Sequence, residues 1–392
     1  MSSSPVQSDW NCSIVSWGHP SDPGTFSGYT RSLVGEMRKS GHVRNEYSIK
    51  SMRWQDAFTG AFHLRAKPRG LGVAVRRSWM WSERASRALQ KRLVTQLERA
   101  EDRGSFLQIG SLVEIDPKFG EYAVLGDMTI PQAYRAGRFA VGGLSDSQYH
   151  EAVAVQQRVL RGASQAFTLT DWARQSMIDD FGMSPDRVTT VYMGTTLQTP
   201  PDFPVEKKPR QILFVGIDWL RKGGPQLVEG FRLLRQRLSD AELVIVGCSP
   251  EIDCPGVKVE GFLDPRDPQQ RARVACLYRE SACFALMSDF EPLGNVLIEA
   301  YALGLPIVAF DSGSRSEIVR DGETGFLCAD REPKTIANAL LKLLEDPKKA
   351  EQLGKNALER VKDCFDWQHV AAKIASRMSS HRRSSALTEI GF

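Results

Sequence analysis

Between Met287 and Ala302 the chain reads Met-Ser-Asp-Phe-Glu-Pro-Leu-Gly-Asn-Val-Leu-Ile-Glu-Ala-Tyr-Ala. A loop ends at Glu291-Pro292, Gly294 lets the backbone approach a ligand, and an apolar helix begins. The first turn of such a helix leaves backbone N–H groups without partners and carries a partial positive charge, which makes it a seat for phosphate. Glu291 and Glu299 bracket that seat with seven residues between them. Eight helical steps rise about 12 Å, whereas the paired carboxylates of a retaining glycosidase stand ~5 Å apart. The two glutamates are therefore expected to bind rather than to exchange protons. A second charged element lies upstream, in Gly216-Ile-Asp-Trp-Leu-Arg221-Lys222-Gly223-Gly224. A basic pair at a helix start opposes the helix dipole, so its placement calls for an anion. One cation about 4 Å from a phosphate is worth roughly 4 kcal/mol at an intermediate dielectric.

These groups need a frame. Gln211-Ile-Leu-Phe-Val-Gly216 and Glu242-Leu-Val-Ile-Val-Gly247 are short apolar runs that read as buried parallel strands. Val257 to Phe262, Ala282 to Leu286 and Leu305 to Phe310 continue the series. Helical spacing over Leu227–Leu238, Pro333–Leu344 and Ala350–Val361 alternates with them. Such alternation makes a doubly wound sheet, with ligands at the carboxyl ends of the strands, where Gly216, Gly247 and Ser288 fall. The first half repeats the architecture without repeating the sequence. Strands are expected at Asn11–Trp17, Phe106–Gly110, Tyr122–Leu125 and Ala166–Leu169, a helix from Tyr29 to Lys39, and the half ends with Asp186–Gly194. Pro200, Pro201, Pro204 and Pro209 mark a linker over 198–209 that joins neither sheet. The domains are thus 1–197 and 210–365, with a closing helix over 366–380 and a disordered tail over 381–392.

The Glu-x7-Glu element and its surroundings resemble the family-4 retaining glycosyltransferases. That resemblance covers Gln165 to Phe365 well and the first 150 residues thinly. It implies the GT-B fold, two Rossmann-like domains facing across a cleft, with the closing helix returning to the first domain. It implies that Glu291 accepts hydrogen bonds from donor-sugar hydroxyls and that Glu299 holds the ribose. The backbone N–H groups of Leu293, Gly294 and Asn295 would hold the distal phosphate of a nucleotide diphosphate sugar, and Gly216 would close the strand beside it. Lys222 matches the family's lysine; Ile217 stands where an arginine is usual, and Arg221 is the substitute within reach. Phe26-Ser27-Gly28-Tyr29 resembles the first-domain loop that closes over the donor phosphate, which assigns Gly28 to donor binding. Where the family often carries a histidine, this chain has Gly126-Asp127, and Asp127 either takes part of that role or caps a turn. Glu260-Gly261-Phe262 corresponds to the strand end where the base is held through backbone groups. The implied chemistry is transfer of a sugar from a UDP- or GDP-sugar to a hydroxyl acceptor (a saccharide, a lipid-linked saccharide or a small molecule) with retention, as in polysaccharide or glycoconjugate synthesis. No metal or cofactor is called for. A sugar-nucleotide epimerase or hydrolase of the same fold, and a catalytically silent scaffold that binds partners, are the competing readings.

Composition sets outer limits. The 392 residues, 42% hydrophobic and 25% charged, suit two globular domains. A net charge of +4 is too mild to argue for nucleic acid. The seven cysteines (12, 248, 254, 276, 283, 328 and 364) are odd in number and show no zinc or redox spacing, so reduced thiols are expected. No apolar run reaches ~18 residues and the first residues lack a signal-peptide pattern. The expected location is cytoplasmic, with one opening to a membrane's inner face: Arg65–Arg99 holds ten Lys/Arg against two Glu, with Trp79 and Trp81. The same stretch reads more simply as an ordinary helix, with Ala85, Ala88, Leu89, Leu93 and Leu97 as its core stripe.

Overall fold

The computed structural model describes residues 10–22, 25–50, 64–66, 73–75, 80–137, 141–197 and 205–389. Residues 1–9, Trp79, Pro200, Pro201, Pro204 and residues 390–392 lie outside the described residues. The chain divides into two units, Met1–Met193 with Trp367–Phe392, and Gly194–Asp366. Both are α/β.

In the first unit the sheet comprises β1 (Cys12–Ser16), β2 (Val43–Ser48), β5 (Ser105–Ile109), β6 (Tyr122–Gly126), β7 (Gln165–Thr168) and β8 (Val188–Thr190), in the order β2-β1-β5-β6-β7-β8. Every pairing in it is parallel. Parallel strands covered on both faces must be apolar on both; β1, β5, β6 and β7 are buried along their whole length. The covering helices are α1 (Tyr29–Lys39), α2 (Glu83–Arg99), α3 (Ile130–Arg135), α4 (Asp146–Gly162) and α5 (Asp171–Asp179). A separate antiparallel pair, β3 (Leu64–Ala66) and β4 (Val73–Val75), was not expected. The core stripe of α2 is Ala85, Leu89, Leu93 and Leu97; Ala88 is exposed instead. Trp81 is partly buried and packs against two apolar clusters; Lys67, Arg69, Arg76 and Arg77 of the basic stretch lie outside the described residues. No helix among the described residues is long and apolar enough to cross a membrane.

The second unit's sheet runs β11-β10-β9-β12-β13-β14. Its strands are β9 (Lys208–Val215), β10 (Glu242–Val246), β11 (Val257–Gly261), β12 (Ser281–Leu286), β13 (Ile307–Phe310) and β14 (Gly325–Cys328), all parallel. Helices α6 (Gly224–Arg235), α7 (Pro268–Glu280), α8 (Asn295–Ala302), α9 (Arg315–Ile318), α10 (Pro333–Leu344) and α11 (Pro347–Cys364) connect them. Pro209 corrects one expectation: it lies inside β9, a central strand, rather than in a linker. The pairing with β12 slips there, from Ser281↔Lys208 to Cys283↔Ile212. A bulge of this kind absorbs a residue that has no N–H to give the ladder.

The last helix, α12 (Trp367–Glu389), packs on α1 in the first unit. Lys373 donates to Thr190 O at 2.7 Å and Arg377 to Thr189 at 3.0 Å. Helix continues to Glu389, through residues expected to be disordered. With neither Gly nor Pro between Trp367 and Glu389, nothing in the local backbone stops it.

Helices α6 and α10 cross at Gly230, where an added Cβ would stand 2.5 Å from Ile336 Cγ2. Helix propensity alone favours Gly230→Ala by up to about 1 kcal/mol, but overpacking costs about 1–3 kcal/mol. Gly230→Ala is therefore expected to lower the urea midpoint. In an Ile336→Ala background the same substitution should become neutral or stabilising. Destabilisation of equal size in both backgrounds would remove the steric explanation.

Candidate functional site

The second unit brings its charged groups together at the carboxyl ends of β9 and β12. After β9 the chain turns at Gly216 and winds through 217–223 before α6. Backbone bonds from Lys222 N to Asp218 O (2.9 Å), Gly223 N to Leu220 O (3.2 Å) and Gly224 N to Trp219 O (3.0 Å) fix that turn. The Asp218 carboxylate takes the Arg221 N–H at 3.1 Å. Gly223 has φ 72°, and an added Cβ would lie 1.7 Å from Met287 O. The loop after β9 thus sits backbone against backbone on the end of β12. Gly216 serves the site differently, because a Cβ there would crowd the Lys222 stem at 3.0 Å.

From β12 the chain enters the loop holding Glu291. Lys222 Nζ stands 2.5 Å and Arg221 Nη1 2.8 Å from the same oxygen, Glu291 Oε1. Both Lys222 and Glu291 are buried. The adjacent cations, which a helix period need not point together, thus converge on one carboxylate. Ser288 ties the loops, its hydroxyl placed to donate to Arg221 O at 3.1 Å and Phe290 O at 3.0 Å.

Leu293 and Gly294 lead into α8, whose first residue is Asn295. Gly294 is its N-cap at φ 87°, with no side chain capping the first turn and no acidic residue in it. The positive end of the dipole is therefore not neutralised from within the helix. Because α8 starts at Asn295, Glu291 lies in the loop ahead of it. The eight-residue helical rise expected between Glu291 and Glu299 does not describe the pair.

Glu299, on α8, accepts from Thr196 Oγ1 at 2.7 Å and from Tyr278 OH at 3.3 Å. Burial raises its carboxyl pKa above the ordinary 4.5, opposed by those two hydrogen bonds and by the Lys222 charge. Neither Thr196 nor Tyr278 was expected, since they lie 103 and 21 residues from Glu299 and carry no local motif. Arg315 was missed too. It is fully buried at the start of α9, donating Nε to Phe310 O at 2.8 Å and Nη2 to Asp289 O at 3.1 Å. The only trace of it in the sequence is an arginine set among serines just after a buried strand.

The first unit has its own strand-end cluster. Gly28 takes φ 85° as the N-cap of α1, and Gly110, at the end of β5, takes φ 90°. A Cβ on Gly110 would lie 3.4 Å from the Phe26 ring. Asp127 follows β6 directly; burial raises its pKa, and its own and Met128's N–H groups lower it. The helix cap beyond it is Thr129, in a capping box with Gln132, so Asp127 is not the cap of α3. Ile217 and Leu220 are 76% and 75% exposed on the loop after β9, and Phe262 is 58% exposed after β11. All seven cysteines are free, and no cluster of metal-ligating side chains occurs among the described residues.

Comparison with known proteins agrees with this architecture. Residues 198–360, which lie within the second unit, match the family described as glycosyl transferases group 1. The fold of the chain is GT-B. Glycogen synthase of Mycobacterium tuberculosis is 28% identical over 257 residues, 62% of this chain and 60% of the relative. D-inositol 3-phosphate glycosyltransferase of Gordonia bronchialis is 27% identical over 277 residues, 65% of this chain and 60% of the relative. The matched part thus spans about 60% of the length of these curated relatives. Sucrose-phosphate synthase from Thermosynechococcus elongatus has a similar structure, with TM-score 0.66 and 17% identity over 96% of this chain and 100% of that one. HepE of Anabaena, solved with UDP and glucose, gives a TM-score of 0.59 and 17% identity over 94% and 100%.

The raised pKa of Glu299 carries a stability prediction. A carboxyl whose folded pKa exceeds its unfolded one contributes stability that is full below the unfolded value and lost as pH rises through the folded value. Glu299→Gln keeps an oxygen for Thr196 and removes the buried charge. The variant should therefore be more stable than the parent at pH 7, with the gap closing towards pH 4, as read by urea unfolding at both pH values. A variant less stable at pH 7 would mean that Lys222 and the two hydroxyls outweigh burial.

Proposed function

We propose that the protein is a retaining glycosyltransferase that moves a sugar from a nucleotide diphosphate sugar to a hydroxyl acceptor. The observation that carries this reading is the convergence of Lys222 and Arg221 on Glu291 beside the uncapped start of α8. A buried carboxylate holding two cations at an anion-binding helix end is an arrangement that a diphosphate and a polyhydroxyl sugar can enter together. Lys222, Arg221 and the N–H groups of Leu293, Gly294 and Asn295 would take the diphosphate, Glu291 the sugar hydroxyls, and Glu299 the ribose. Gly216 leaves room for the Lys222 stem. In the first unit, Gly28 is assigned to a loop that contacts donor and Asp127 to the acceptor side.

In this mechanism the bond from the anomeric carbon to the phosphate oxygen breaks and a bond to the acceptor oxygen forms on the same face. The acceptor proton passes to the departing diphosphate. Charge grows on that diphosphate in the transition state, where fixed cations act most strongly. The protein's own cations meet that need, so the reading requires neither metal nor cofactor. Partner binding by a silent scaffold is the competing reading, favoured by Ile217, 76% exposed at the position where the resemblance places an arginine.

The two readings part in one experiment. Thermal unfolding is followed with UDP-, GDP- and ADP-sugars in the presence of EDTA. A ligand at 100 times its dissociation constant should add about 2.7 kcal/mol, visible as a clear rise for one nucleotide and absent in Glu299→Ala. With the nucleotide known, Lys222→Ala should lower turnover by about 10²–10³-fold. No shift with any of the three at millimolar concentration, from folded protein, would favour the scaffold.

A further inference from the structure

Two hydroxyls reach the Glu299 carboxylate from outside its own helix. Thr196 Oγ1 donates to Oε1 at 2.7 Å and Tyr278 OH donates to Oε2 at 3.3 Å. Thr196 lies in the segment that opens the second unit, where Thr195 Oγ1 accepts from Leu197 N at 3.1 Å and ties the chain on either side of it. Tyr278 lies on α7, fully buried, with its ring stacked on Phe284 at 5.7 Å between centroids. Its other polar contact, to Val296 O, is longer at 3.5 Å. Each hydroxyl therefore holds one carboxylate oxygen, and no other hydrogen bond to that carboxylate occurs among the described residues. A carboxylate offers about four acceptor positions over its two oxygens, so each oxygen keeps an acceptor position open. Glu299 is only half-buried, which leaves it within reach of a ligand.

A glutamate on a helix has several free torsions, and fixing them when a ligand binds costs conformational entropy. Here they are fixed on folding, by groups 103 and 21 residues away in the chain, so the carboxylate is oriented before a ligand arrives. What remains is an open acceptor position on each of two adjacent oxygens. A vicinal diol offers the matching pair, two O–H donors side by side. We propose that Thr196 and Tyr278 are positioning residues that lock the Glu299 carboxylate in the orientation that accepts both ribose hydroxyls of the donor nucleotide. They thereby set a preference for ribonucleotides over deoxyribonucleotides, because a site built to hydrogen-bond a hydroxyl rejects the analogue that lacks it. The inference rests on the reading of Glu299 as the group that holds the ribose. It gives neither Thr196 nor Tyr278 a contact with the ligand.

The test crosses a protein hydroxyl with a ligand hydroxyl. Titration calorimetry on the full chain uses UDP, GDP and ADP, then the 2′-deoxy and 2′,3′-dideoxy forms of whichever the parent binds. Thr196→Val, close to isosteric and without the hydroxyl, should weaken the ribonucleotide roughly tenfold, the scale of a hydrogen bond to a charged group. Thr196→Ser, which restores the hydroxyl, should bind within about threefold of the parent. Tyr278→Phe should act in the same direction and less strongly, its bond being longer; it carries the test if Thr196→Val does not fold. For each variant the loss should shrink with the 2′-deoxy ligand and vanish with the dideoxy one. An equal loss with all three ligands would overturn the proposal and leave the two hydroxyls as structural ties. Tighter binding by Thr196→Val would overturn it as well, since Thr196 would then compete with the ribose for Oε1. A parent that binds none of the three ribonucleotides overturns the donor-site reading and this inference with it. A parent that binds the ribonucleotide while both variants match it overturns the inference alone.

Discussion

The arrangement of the second unit turns on one constraint: a buried carboxylate must be neutralised where it stands. Glu291 is buried with Lys222 and Arg221 on a single oxygen. An unpaired charge there would cost several kcal/mol. The strand ends on either side are shaped to meet that need. Gly223 adopts a left-handed conformation against the Met287 carbonyl, and Ser288 reaches back to Arg221 O. Arg315 then holds the far side of the loop. The apolar strands β9 and β12 fix the distance between cation loop and carboxylate loop, and the ion cluster fixes how the loops face.

Other polar groups near this cluster also stand at a cost to the folded state. Glu299 is held by Thr196 and Tyr278 while burial works against its charge. Gly294 leaves the start of α8 without a side-chain cap, forgoing roughly a few tenths of a kcal/mol that a capping side chain would contribute. Each choice keeps a polar group at some cost to the folded state, as a donor site of the proposed kind would require. Sites of this type are where local rules of sequence and structure are expected to conflict.

Much of the frame was legible because buried parallel strands are short apolar runs and their connecting helices carry a 3.6-residue stripe. β10, β12 and β13 stand out in that way. β2, Val-Arg-Asn-Glu-Tyr-Ser, does not: it lies at the sheet edge and is only partly buried, so its polarity hides it. The helix α7 has an indistinct apolar face and was invisible for the same reason. Lys222, Glu291 and Glu299 could be singled out because each lies within a local motif. Thr196, Tyr278 and Arg315 could not, since folding alone brings them near. Pro209 is deceptive in the sequence because a proline argues against a central strand, whereas a bulge in the partner pairing admits it.

The contact between Gly247 and Gly216 has a different kind of consequence. A Cβ on Gly247 would lie 2.9 Å from the Gly216 carbonyl carbon, so these neighbouring strand ends are spaced by bare main chain. No rotamer change can widen that spacing, and no single side-chain replacement nearby can retune it. The exposed side chains of Ile217, Leu220 and Phe262 carry no such restriction. Their size and polarity can change without entering that main-chain contact. Main chain sets the spacing of these strand ends, and side chains set the character of the exposed surface beyond them.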